Sequence, residues 1–251
     1  MEMSNPLASH WAAAAAVFAL AGTVKGVIGL GLPTVAMALL ALWMPPAQAA
    51  ALLIVPSLVT NLWQTGPRST FRPVLRRIGG MHAGIVAGTL GGALWLGAPG
   101  GAWASVALGV ALVAYALWGL TGGQLHVPGR HECWLGPMVG AATGLVTAVT
   151  GVFAMPAVPY MQALGLQRDA LIQAMGISFT TSTVVLAVGL AANGQYPVAA
   201  AGGSVAMLLP AIGGMALGTW LRKRLPVAVF RRCFLAGLAL LGLYMVVRAL
   251  G

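Results

Sequence analysis

GTVKGVIGLGLP at residues 22–33 and GLVTAVTGVFAMP at residues 144–156 decide the fold. In the first a cluster of glycines, and in the second Gly151, is followed by a proline, a pattern that stops one helix and starts the next. Both stretches lie inside long apolar segments, so the stops read as helix breaks at membrane depth. Irregular backbone there is tolerated only where it lines a cavity or is buried in protein. The competing reading is a pair of tight turns that merely pack. Pro33 and Pro156 suit the first turns of the helices that follow, whose N–H groups carry partial positive charge.

The surroundings of these stretches exclude a water-soluble domain. Of 251 residues, 59% are hydrophobic and only 6% are Asp, Glu, Lys or Arg, against roughly 25% charged in a typical soluble domain. A cytosolic enzyme, a disulfide scaffold, a disordered tail and a nucleic-acid module all need polar surface or a cysteine framework that is missing. Continuous rather than alternating apolarity favours helices over a barrel. The expectation is an all-α integral membrane protein.

Ten apolar segments emerge, at 10–29, 33–44, 47–64, 78–97, 102–120, 134–150, 155–166, 170–191, 198–221 and 228–248. The second and seventh are short. The run from Trp11 follows a leader with Glu2 and no basic residue, so it reads as a retained first span and not a cleaved signal. Arg68, Arg72, Arg76, Arg77, Arg130, Arg168, Arg222, Lys223, Arg224, Arg231 and Arg232 then fall in loops on one side, with Arg248 alone on the other. The positive-inside rule makes that side cytoplasmic and places both termini in the periplasm of a bacterial inner-membrane protein. The net charge of +10 is thus topology and not a nucleic-acid signal.

The chain also resembles itself. At an offset of 122, Gly22, Gly29, Ala41, Leu42 and Thr60 meet Gly144, Gly151, Ala163, Leu164 and Ser182, and Gly26 meets Ala148. At an offset of 126, Gly84, Gly88 and Gly92 meet Pro210, Gly214 and Gly218. Two five-helix repeats follow, 7–120 and 134–249, joined by a cytoplasmic linker at 121–133. Five is odd, so the second copy enters the membrane inverted. The spaced glycines read as helix-packing positions. Two break ends converging from opposite faces would form an anion site.

Few polar residues lie within the spans. Lys25, one turn before the first break, either neutralises an anionic substrate or snorkels to the headgroups; Thr147 stands at its equivalent. Ser57, Thr60, Asn61 and Gln64 form one stripe on the third segment, and Gln173, Ser178, Thr181 and Ser182 a looser cluster on the eighth. These groups bind substrate or glue helices together, Asn61 and Gln64 being harder to satisfy locally. The candidate substrate-binding set is Lys25, Gly29, Gly31, Pro33, Asn61, Gln64, Gly151, Pro156, Ser178, Thr181 and Ser182. His82 has a possible proton role, with no acidic residue in any span to relay to. Cys133 and Cys233 read as packing residues with no metal or redox role. No HExxH, GxSxG or aspartate pair suggests catalysis, and no cofactor is expected.

The Gly-rich first segment, its break, the short second segment and the polar-striped third, repeated in the second half, resemble the sulfite exporter TauE/SafE family of bacterial permeases. The resemblance covers nearly the whole chain, carried by Gly22, Gly26, Gly29, Gly31, Pro33, Gly144, Gly151 and Pro156. The segment after each break is less glycine-rich than the family motif. The resemblance implies a permease moving sulfite, an organosulfonate or another small organic anion. The expected function is a secondary transporter of a small anion by alternating access, with the lipid bilayer as its other partner. The alternative is a non-transporting membrane scaffold or sensor subunit.

Overall fold

A computed structural model describes residues 6–66, 68–122 and 125–250. Glu2 and the start of the leader, and positions 123 and 124 of the expected linker, lie outside the described residues. Among those described the elements are all helical: α1 (Pro6–Ile28), α2 (Leu32–Leu40), α3 (Pro46–Gln64), α4 (Arg68–Leu96), α5 (Gly101–Thr121), α6 (Gly129–Thr150), α7 (Ala157–Ala163), α8 (Arg168–Ala192), α9 (Val198–Ala206), α10 (Leu208–Leu221) and α11 (Val227–Leu250).

Seven stretches are long and apolar enough to cross a membrane: α1, α3, α5, α6, α8, the α9–α10 stretch and α11. This makes the chain a multi-pass membrane protein. α4 has the length, but its arginines, His82 and glycines dilute its hydropathy. α2 and α7, of 9 and 7 residues, rise only about 14 and 10 Å.

Three expectations need correction. Arg68, Arg72, Arg76 and Arg77 are not in a loop, because α4 starts at Arg68, ten residues before the expected limit at 78; Arg and Leu are good helix formers, so the helix runs on past the apolar stretch. The ninth segment is two helices parted at Met207, since Pro210 cannot donate to the carbonyl of Ala206. Cys133 and Cys233 are exposed on α6 and α11 and are not core packing, since the outer helices turn part of their surface away from the bundle.

The buried centre is built from α2, α3, α7 and α8. α2 and α7 are buried along almost their whole length. α3 packs antiparallel on α8: a Cβ on Gly176 would lie 2.7 Å from the backbone of Gln64, and three residues earlier Gln173 donates to the carbonyl of Thr65. On either side stand the pairs α1 with α10 and α4 with α6, while α5 packs on α11.

The two flanking seams share one construction. On the first, Gly22 of α1 faces Ala211 and Met215, and Gly214 of α10 faces Ala19. On the second, Gly144 of α6 faces Ile85 and Thr89, and Gly88 of α4 faces Ala141. Every partner in one seam lies 122 or 126 residues from its counterpart in the other. In both, backbones approach closely enough that a side chain at the glycine would strike the opposite main chain, the contact that drives helix association in lipid.

Pro56 interrupts the hydrogen-bond ladder of α3 and frees the carbonyl of Leu52. Ser204 of α9 repairs the gap. Its hydroxyl donates to Leu52 O at 2.8 Å and accepts from Val55 N at 2.9 Å.

Candidate functional site

Both predicted breaks are present. α1 ends at Ile28, and Gly29 and Gly31 follow with φ of +88° and +110°, a left-handed region that side-chain-bearing residues avoid. Gly31 caps α2, and Pro33 sits in its first turn. α6 ends on Gly151 at φ +68°. Pro156, expected inside the next helix, instead caps it, with α7 starting at Ala157.

The first break carries a buried polar cluster. Lys25, 4% exposed, turns its ammonium toward α3, donating to Thr60 Oγ1 at 3.1 Å and to Asn61 Oδ1. It does not snorkel. Thr60 in turn donates to Pro56 O at 2.7 Å, so its hydroxyl serves both its own helix and the lysine. Gln64 donates to Gly29 O at 2.8 Å and pins the open backbone of the break. Thus Lys25, Gly29, Asn61 and Gln64 come together, with Gly31 and Pro33 on the same turn.

Among the described residues no carboxylate balances the charge. Among the described residues the one ion pair is Arg77 with Glu132, at 2.8 Å. A buried ammonium facing only neutral oxygens is costly, so its retention points to a role. Several neighbouring groups on α3 are also unsatisfied: Ser57 Oγ, Asn61 Nδ2 and Gln64 Oε1 are buried without hydrogen-bond partners. Across the α3–α8 interface Ser182 Oγ is likewise buried and unpartnered. In the antiparallel register set at Gln64 and Gly176, Ser182 stands nearly level with Ser57.

Other expected site residues make their contacts elsewhere. Thr181 donates to Ile177 O at 3.1 Å within its own helix, and Ser178 contacts Met161 of α7 at 3.5 Å. Gly151 lies against Met37 and Ala50. The first break adjoins Gln64 and the second Ala50, which are separated by about 21 Å of α3. The expectation that the two break ends converge on one site is therefore not met, because α3 runs the full distance between them. Thr147, at the place equivalent to Lys25, bonds its own helix through Thr143 O at 2.7 Å.

Thr60 belongs to the predicted stripe but not to the candidate substrate-binding set, because a threonine satisfied by its own helix gives no sign of a second partner. Two cavities flank the sealed cluster. One of about 560 Å³ is lined by Trp11, Trp43, Gln48 and Gln195. Another, of about 330 Å³, reaches Val27, Ile28 and Leu30 at the first break.

At the foot of α4, Arg77 clasps Glu132 through Nε at 3.1 Å and Nη2 at 2.8 Å, and also donates to Leu164 O at 2.8 Å. This joins α4, α6 and the end of α7.

Comparison with known proteins gives one match. Residues 14–245 fit the family model described as sulfite exporter TauE/SafE. No curated protein and no solved structure matches the chain.

Proposed function

We propose, because the chain belongs to the sulfite exporter TauE/SafE family, that it is a secondary transporter whose substrate anion pairs with Lys25. The observation that carries this reading is the buried ammonium held only by Thr60 and Asn61. An arriving anion supplies the missing counter-charge, and charge-assisted hydrogen bonds are stronger than the neutral ones they replace. Asn61 Nδ2 and the hydroxyls of Ser57 and Ser182 are donors left without acceptors. A three-oxygen head such as sulfite or a sulfonate offers several acceptors to match them.

The rest of the mechanism rests on the repeat. The offset of 122 to 126 residues, and the two seams built alike, support two inverted five-helix halves and ten membrane segments in all. In this reading the α3–α8 seam is the substrate path. The break at Gly29 gates one end of it, and the break at Gly151, with Pro156 and the contact of Ser178, gates the other. Lys25 and Asn61, sealed from both cavities, mark an occluded state. Rocking of the halves opens each end in turn. The arginine-rich side is assigned to the cytoplasm, with both termini periplasmic across a bacterial inner membrane.

Flux of radiolabelled sulfite into vesicles reconstituted with the purified protein is the test. Saturable flux that falls by at least an order of magnitude in Lys25→Met is expected. Flux equal to that of empty vesicles, for sulfite and for methanesulfonate alike, would refute transport and favour a scaffold role.

A further inference from the structure

The cavity beside the first break contains more charge than topology requires. Its wall holds Arg168 from the first turn of α8, Arg222 from the end of α10 and Arg231 from α11, with Tyr115 of α5 and Gln162 of α7. Arginines from three separate helices thus line one hollow of about 330 Å³. Three other arginines are engaged elsewhere. Arg77 is paired with Glu132, Arg224 stacks on Trp220 at 4.1 Å, and Arg248 donates to Leu42 O at 3.2 Å. Neither Glu132 nor Asp169, the described carboxylates, forms an ion pair with Arg168, Arg222 or Arg231. Val27 and Ile28 at the end of α1, and Leu30 in the break just beyond, line the same cavity.

We propose that Arg168, Arg222 and Arg231 form a second anion-binding site, a vestibule that gathers a sulfonate-type oxyanion at the mouth of the first break before it reaches Lys25. This rests on the transport reading for its destination but not for its binding. Planar guanidiniums suit oxyanions through paired N–H donors. A concave site lined by one sign of charge and by apolar walls concentrates a counter-ion. The apolar portion leaves room for a small organic group on the oxyanion. The same chemistry is offered by an anionic lipid headgroup, and the open side of the cavity makes the comparison necessary. Direct continuity with the break favours the soluble anion.

Phenylglyoxal modification of the full-length protein in neutral detergent, read by peptide mass spectrometry, tests the site with methanesulfonate as probe. At about four times Kd, modification of Arg168, Arg222 and Arg231 should slow about fivefold, as 1 + [L]/Kd requires. The exposed Arg72 and Arg76 serve as unprotected controls. The protection should persist in Lys25→Met, so failure of the buried site and failure of the vestibule are told apart. In vesicles, Arg231→Gln should raise the half-saturating anion concentration for entry from the arginine-bearing face, with maximum flux from that face retained. Protection spread equally over the control arginines, or protection by phosphatidylglycerol with none by methanesulfonate, would overturn the proposal.

Discussion

Gly22 of α1 and Gly144 of α6 meet their partner helices through corresponding atoms. A Cβ on Gly22 would strike the carbonyl of Ala211 and one on Gly144 the carbonyl of Ile85, and these two partners are 126 residues apart. The obstacle at each is main chain, which cannot rotate aside as a side chain can. Gly22→Ala and Gly144→Ala should each destabilise the protein by about 1–3 kcal/mol, and the two losses should be alike. Thermal unfolding in detergent checks both. An unaltered midpoint in either variant would contradict the close approach.

Ser204 should matter only because Pro56 exists. Ser204→Ala leaves the carbonyl of Leu52 without its donor, a loss of about 1–3 kcal/mol. Adding Pro56→Ala restores an N–H that can reach Leu52 within α3, so the double variant should recover most of that loss. A double-mutant cycle by chemical denaturation measures the coupling. Simple additivity would show the two residues to be independent.

Replacing Lys25 with Met removes a buried charge that no carboxylate balances. The folded protein should be unchanged in stability or more stable, by up to about 4 kcal/mol, while anion-induced thermal stabilisation shrinks to the part that Arg168, Arg222 and Arg231 supply. A structural lysine predicts the reverse, a large drop in melting temperature. Scanning fluorimetry with and without sulfite separates the two.

The clasp between Arg77 and Glu132 ties α4 to α6 and to the end of α7. Glu132→Gln keeps the shape of the side chain but removes the charge that the guanidinium pairs with, so stability in detergent should fall by about 0.2–1 kcal/mol. An unchanged melting temperature would mean that the pair contributes nothing.

Local chemistry was legible in the sequence, and long-range register was not. The breaks at Gly29 and Gly151 could be read because a glycine cluster and a following proline act within a few residues. Lys25 stood out because a cation in an apolar run is rare. Thr60 escaped notice because its bond to Pro56 hides its service to Lys25. The separation of the breaks along α3 depends on how α2 and α7 pack, which no periodicity records. Nor does charge counting tell one arginine from another: it groups Arg77 with Arg231, although one is clasped by Glu132 and the other opens onto a cavity.

Lys25 has no twin, since Thr147 stands in the corresponding place. Two mirror-related conformations of such a molecule cannot be degenerate, because only one half moves a cation relative to its surroundings. Passive exchange through it would be rectified, with a lower half-saturating concentration on one side offset by slower turnover from that side, as equilibrium across the bilayer demands.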